Sequence, residues 1–216
     1  MRHLIVTIDG PAGTGKSTVS RRVAAELGLP HLDTGAFYRA AALVALRNGV
    51  DLDDESGLVA AVGSAFFDQE DGIMLIDGED VSVEIRDPLV ATASSTVATH
   101  PKVRSALVDH QRCWVELHGD AGVVEGRDIG SVVFPDAGVK VFLEADPSVR
   151  AARRARETGQ NFGDVLAAQG KRDSQDSLRD ASPLLVPDDA FVIDTSDLEV
   201  SDVVQRIVEL VRTASR

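Results

Sequence analysis

The stretch TIDGPAGTGKSTVSRRVAAEL, Thr7 to Leu27, sets an apolar run against a glycine-rich turn, and that turn against a helix. LIVTID (Leu4 to Asp9) reads as a buried strand. Past the turn, Val19, Val23, Ala24 and Leu27 recur at helical spacing, and Gly28 then Pro30 stop the helix. Between them GPAGTGKS (Gly10 to Ser17) fits G-x-x-x-x-G-K-[ST] in the context that pattern needs, after a strand and before a helix. Such glycines let successive backbone N–H groups turn inward around phosphate oxygens. The helix N-terminus adds the positive end of its dipole. This assigns Gly10, Pro11, Ala12, Gly13, Thr14, Gly15, Lys16, Ser17 and Thr18 to a nucleotide's phosphates. Lys16 is expected to reach the β- and γ-phosphates and the Ser17 hydroxyl to ligate Mg2+.

Outward from this loop the rhythm is strand, helix, strand, helix. HLDT (His31 to Thr34) is a short strand, and a helix runs from about Ala36 to Asn48, closed by Gly49. Alternation of this kind predicts an α/β fold with a parallel sheet. From about Asp51 the pattern changes. Asp71-Gly72 and Asp77-Gly78 separate short apolar runs between Ala65 and Val83, which predicts a small antiparallel meander. We place this insert at residues 53–98. A helix then opens at Pro101, with Val103, Leu107, His110, Trp114 and Leu117 as its buried stripe. VVEGRD (Val123 to Asp128), VKVFLEAD (Val139 to Asp146) and FVIDTSD (Phe191 to Asp197) bring the core strands to five. Asp146-Pro147 opens one further helix and Ser201-Asp202 the last.

With 216 residues the chain has room for one well-buried core and a small insert. Its formal charge of -13 gives no basic footprint for nucleic acid, so no nucleic-acid partner is expected. Net acidity does not exclude a phosphate ligand, because charges beyond a Debye length of about 8 Å are largely screened. A single cysteine, Cys113, rules out a disulfide within the chain and suits a reducing compartment. No run approaches the roughly 18 apolar residues of a membrane span. No membrane association, a cytoplasmic location and a monomer are the expectations.

A phosphate-binding loop serves switches, motors and kinases alike. The base-reading Asn-Lys-x-Asp of a GTPase is missing, and VVEGRD does not end in the Asp-Glu of a motor ATPase. A small kinase that passes the γ-phosphoryl to a second bound molecule remains. Two loops after strands suit that acceptor. LDTGAFYR (Leu32 to Arg39) and EGRDIG (Glu125 to Gly130) lie where open α/β sheets bind ligands, and the forked donors of Arg39 and Arg127 suit phosphate. The glycines of EGRDIG are expected to expose Arg127 and Asp128 at the strand mouth. Arg172, Asp176 and Arg179 are spaced to share one helix face. Between Arg150 and Arg179 basic residues outnumber acidic ones, a reversal in so acidic a chain. This predicts a basic flap at residues 150–162 that faces the transferring phosphates, with Arg153 assigned to ATP. The residues alone leave open a kinase for UMP or a metabolite alcohol, and a binding module that does not turn over.

Over nearly its whole length the chain resembles the bacterial-type cytidylate kinases, a P-loop nucleoside monophosphate kinase family. The likeness rests on TIDGPAGTGKST, LDTGAFYR, GEDVSVEIR (Gly78 to Arg86), EGRDIGSVVFPDA (Glu125 to Ala137) and KRDSQDSLRDASPL (Lys171 to Leu184), in the family's order. It implies a P-loop core at residues 1–52, 99–149 and 163–216, an insert that enlarges the monophosphate-binding region, and a short lid. It implies ATP with Mg2+ as phosphoryl donor and CMP or dCMP as acceptor. Cytosine recognition by Ser95, Arg104 and Asp128 follows from the same likeness. So do acceptor-phosphate contacts from Arg39 and Arg127, a substrate contact from Thr34, sugar contacts from Arg172 and Asp176, and action on the phosphates by Arg179. Lys16, Arg127 and Arg179 would carry the catalysis. The chain departs from the family in having Thr34 where many members carry Ser, and in Ser177 and Leu178 between Asp176 and Arg179.

Overall fold

The structure is a computed structural model that describes residues 4–177 and 184–214. In chain order its elements are β1 (Ile5–Asp9), α1 (Lys16–Leu27), β2 (His31–Asp33), α2 (Thr34–Arg47), α3 (Glu55–Gly63), β3 (Phe67–Glu70), β4 (Ile73–Ile76), β5 (Glu79–Asp80) and α4 (Pro88–Val97). There follow α5 (Pro101–Leu117), β6 (Gly122–Gly126), β7 (Val139–Glu144), α6 (Pro147–Thr158), α7 (Phe162–Ser177), β8 (Phe191–Asp194) and α8 (Val200–Ala214). The chain divides into two compact units, one formed by residues 1–31 with 120–216 and one by residues 32–119.

The five-stranded parallel sheet expected from the alternating pattern has the order β2-β6-β1-β7-β8. β1 lies at its centre because Val6, Thr7 and Ile8 are all fully buried, as a strand covered on both faces requires. α1 and α8 cover one face. In α8, Val203, Val204, Ile207, Val208 and Val211 form an apolar stripe at helical spacing, and they pack into one cluster with Val19 and Val23 of α1 and with Val6, Ile8 and Leu143 of the sheet. The register pairs Asp9 at the end of β1 with Gly126 at the end of β6. The loops that leave those two strands therefore start side by side. α1 begins on the left-handed Gly15 and ends on the left-handed Gly28. α6 opens as expected on Asp146, whose carboxylate accepts the Ser148 N–H at 2.7 Å.

The second unit holds α2 to α5 around a three-stranded antiparallel sheet, β3-β4-β5. Both Asp-Gly turns take the left-handed conformation at each residue, with φ of 49° and 81° at Asp71 and Gly72 and 51° and 84° at Asp77 and Gly78. That geometry matches the twist of the hairpins they close. Residues 53–98 contain α3 and α4 as well as this sheet. Phe37 and Phe67 meet in its core with ring centroids 5.9 Å apart. Trp114 donates its indole N–H to Asp68 at 3.0 Å and to the Gln69 carbonyl at 3.2 Å.

The stripe expected along α5 drifts at its far end. Leu117 is 66% exposed and His110 is half-buried, while Arg104, Val108, Gln111 and Val115 are buried in addition to Val103, Leu107 and Trp114. A 3.6-residue period with a broad buried face carries the contact line toward Val115 and leaves the last position facing water. A second departure is a π-helical turn over Ile129–Val133 after β6, where a plain loop was expected. No helix among the described residues is long and apolar enough to cross a membrane.

Candidate active site

The loop from Gly10 to Ser17 has the backbone its glycines were expected to supply. Gly10, Gly13 and Gly15 have φ of 144°, 82° and 91°. At Gly10 a Cβ would overlap the Leu143 carbonyl oxygen, so only glycine lets the loop pass that close to β7. Lys16 is buried and folds back to donate from Nζ to the Pro11 carbonyl at 2.7 Å. Desolvation, and secondarily the Arg127 charge, hold its pKa well below that of a free lysine, while Glu125, Asp9 and Asp176 oppose the shift. The Ser17 hydroxyl donates to Glu125 Oε2 at 2.9 Å.

The mouth of β6 is fixed from β1. The Asp9 carboxylate is fully buried and accepts the N–H groups of Ile129 at 2.9 Å and Gly130 at 2.8 Å. Burial raises its pKa to about 6, the two backbone bonds pull it down, and the charge of Asp128 adds to the rise. Gly130 must be small, since a Cβ there would lie 2.8 Å from Thr7 Oγ1 and 3.3 Å from the Lys140 stem. The turn that follows closes through bonds from Val133 N–H to the Asp128 carbonyl and from Phe134 N–H to the Ile129 carbonyl. Asp128 is only 5% exposed, not open at the strand mouth as expected. Arg127 donates from Nε to Asp176 Oδ2 at 2.8 Å and from Nη1 to the Gly10 carbonyl at 3.0 Å. Its Nη2 has no hydrogen-bond partner among the described residues.

Part of the basic stretch closes against the same loop. Arg150 is buried and donates from Nη1 to the Ala12 carbonyl at 3.0 Å and to Asp173 at 2.6 Å. Arg153 donates to the Thr195 carbonyl at 2.6 Å, and the Thr195 hydroxyl is bonded to the Thr14 carbonyl at 3.1 Å. Arg172 is exposed on α7, one turn before the buried Asp176. Arg179 and Leu178 lie outside the described residues.

In the second unit, Asp33 caps α2 by accepting the Ala36 N–H at 3.2 Å and also accepts Arg39 Nη2 at 3.0 Å. Thr34 opens that helix and is buried. Arg104 is buried in α5, with its guanidinium carbon 5.4 Å from the centre of the Tyr38 ring. Ser95 lies half-buried on α4, its hydroxyl 3.4 Å from the Ala91 carbonyl.

A family model for cytidylate kinase matches residues 6–213. The chain belongs to the cytidylate kinase family. It is 46% identical over 220 residues to a cytidylate kinase of Mycobacterium leprae (strain Br4923), covering 100% of this chain and 98% of that one. It is 48% identical over 223 residues to one of Rhodococcus opacus (strain B4), covering 98% and 96%. Among solved structures, an uncharacterized protein from Eubacterium ventriosum ATCC 27560 superposes with a TM-score of 0.56 at 13% identity, covering 98% of this chain and 99% of that one, a likeness of fold.

Three residues of this cytidylate kinase family member stand out in the structure but were given no role from the sequence: Asp9, Glu125 and His31. Asp9 and Glu125 carry a signal of their own. Each is an acid inside an otherwise apolar strand, a placement whose burial has to be repaid by hydrogen bonds. His31 carries no such mark.

Proposed function

We propose that this chain transfers the γ-phosphoryl group of ATP to CMP and dCMP, giving CDP or dCDP and ADP. The match to the cytidylate kinase family over residues 6–213 carries this reading. In the reaction an oxygen of the acceptor's 5′-phosphate attacks the γ-phosphorus in line, and the bond from that phosphorus to the β,γ-bridging oxygen breaks. The attacking phosphate is already an anion at neutral pH, so positioning and charge neutralisation do the catalysis without a strong general base.

Gly10 to Thr18 would wrap the phosphates of ATP, and Lys16 would leave the Pro11 carbonyl for the β- and γ-oxygens. Arg153 would sit beside the nucleotide. Arg127, held by Asp176 and Gly10, has Nη2 left for the transferring group, with Arg179 as the second cation. Arg39 would take the acceptor phosphate with Arg127, Thr34 would contact the substrate, Arg172 and Asp176 would hold its sugar, and Ser95, Arg104 and Asp128 its base. Residues 53–98 would act as the monophosphate-binding insert and residues 150–162 as the lid of a core made by residues 1–52, 99–149 and 163–216. Lid closure would exclude the water that otherwise hydrolyses ATP.

The donor set suits Mg2+. The Ser17 hydroxyl and the Glu125 carboxylate bonded to it offer hard oxygen atoms. Mg2+ commonly keeps waters and substrate phosphates as its other ligands, so no cluster of protein carboxylates is needed. Held by the Ser17 hydroxyl, Mg2+ would supply positive charge against the charge that develops during transfer. The enzyme would work as a monomer in the cytoplasm, and sedimentation of the purified chain tests the first point. The function itself is tested by ADP formation from ATP over a panel of acceptors. CMP and dCMP should lead, UMP should be clearly poorer, and AMP and GMP should stay near background. Equal efficiency with AMP or GMP would overturn the assignment.

A further inference from the structure

His31, the first residue of β2, packs beside the phosphate loop's helix with its ring 11% exposed. Its Nε2 lies 3.2 Å from Glu125 Oε1 and 3.1 Å from Ser20 Oγ. Ser20 gives its own proton to the Lys16 carbonyl at 2.7 Å, so toward the ring its oxygen can only accept. The Glu125 carboxylate also accepts. Both neighbours of Nε2 are therefore acceptors, which places a ring proton on that nitrogen. Nδ1 is buried with no hydrogen-bond partner among the described residues. In the neutral ring that nitrogen is an acceptor.

The same carboxylate reaches the phosphate loop. Glu125 Oε2 accepts the Ser17 hydroxyl at 2.9 Å, so one buried carboxylate links His31 to Ser17. A hydroxyl that commits its proton to Glu125 presents its lone pairs elsewhere, as a ligand to a hard cation must. Removing the Nε2–H takes away one of the contacts that orient the Glu125 carboxylate and, through it, the Ser17 hydroxyl.

We infer that His31 is a positioning residue for the Mg2+ site: its Nε2–H fixes Glu125, and Glu125 fixes the Ser17 hydroxyl that binds the cation. This rests on the reading of Ser17 as a Mg2+ ligand. His31 itself touches neither metal nor nucleotide. Groups bonded directly to a metal ligand typically change metal affinity by about 10- to 100-fold when removed, and His31, one contact further out, takes the lower end of that range.

The test is calorimetric titration of ATP into the full chain, with Mg2+ and with a chelator, for wild type, His31→Asn and His31→Gln. A glutamine amide can place an N–H near the Nε2 position, and an asparagine amide cannot. His31→Asn should raise the Mg2+ concentration needed for half-maximal ATP binding by about 10-fold or more. His31→Gln should recover most of that loss. Binding of metal-free ATP and of CMP should stay within about 2-fold of wild type in both. Unchanged Mg2+ dependence in His31→Asn would overturn the role of His31. So would equal loss of metal-free ATP and CMP binding, or a His31→Gln variant no better than His31→Asn. A wild type that binds ATP equally well with and without Mg2+ would instead overturn the Mg2+ reading itself. Should the variants fail to fold, nitrogen NMR of the wild-type imidazole decides. A proton on Nε2 supports the inference, and a ring protonated on Nδ1 alone would sink it.

Discussion

Arg127 and Asp176 stand 49 residues apart in sequence and share an ion pair, Nε to Oδ2 at 2.8 Å, with the Asp176 side chain 2% exposed. Arg127 also holds the Gly10 carbonyl, so the pair ties α7 to the start of the phosphate loop. Arg172 and Asp176 stand four apart on α7, as their spacing predicted, and across the fold the Asp176 carboxylate also accepts from Arg127. Losing one partner of such a pair leaves a poorly compensated charge, at a cost of about 2–5 kcal/mol. Asp176→Ala should lower kcat/KM for CMP by about 30-fold or more. Asp176→Asn should lose less, because its amide oxygen still accepts. Steady-state kinetics within about 3-fold of wild type for Asp176→Ala would count against this role.

Lys16→Met should reduce kcat by about 10²–10³-fold while CMP affinity, measured without ATP, stays near wild type. In the proposed reading the buried ammonium would leave the Pro11 carbonyl for the charge that develops during transfer. Loss of CMP binding with normal turnover would contradict that placement.

Asp128→Asn and Asp128→Ala test base reading. A carboxylate accepts from the exocyclic amino group of cytosine and opposes the carbonyl in the same place on uracil. CMP efficiency should fall by about 30-fold or more, the preference for CMP over UMP should narrow, and ATP affinity should hold. A variant with full CMP efficiency and undiminished preference would make Asp128 loop scaffolding.

Asp9 gives a pH prediction. Its folded pKa of about 6 lies above the ordinary value of 3.8. The folded state therefore binds this proton more readily than the unfolded state does. The stabilising contribution is complete below about pH 4 and is lost as pH rises through about 6, a swing on the order of 3 kcal/mol. Asp9→Asn removes the titration. Denaturant unfolding at pH 7 and pH 4.5 should show wild type gaining on Asp9→Asn at the lower pH. A pH-independent difference between the two would refute the shift.

What the sequence made legible was local. The strand, glycine turn and helix around Lys16 are set by neighbouring residues, as are the Asp-Gly hairpins and the Asp146 cap. Partnerships across the sheet were not. Asp9 meets Gly130 across 121 residues, and Ser17 meets Glu125 across 108. Both depend on which strands lie side by side, a consequence of burying β1 on two faces. The π-helical turn at Ile129 escaped notice because its ring closes on bonds one residue longer than the helical pattern. Leu117 was misassigned because periodicity fixes a helix's inner face but not where cover over that face ends.

Trp114 is the chain's single tryptophan, and its indole is fastened to Asp68 and Gln69 in the second unit. Intrinsic fluorescence is therefore a private optical channel onto residues 32–119, and the other unit is dark to it. Far-ultraviolet dichroism sums over the helices of both. A denaturation experiment that records the two signals on one sample needs no added label. Coincident curves would mean that both units melt as one cooperative body, and an emission change that runs ahead or behind would mean that they melt apart.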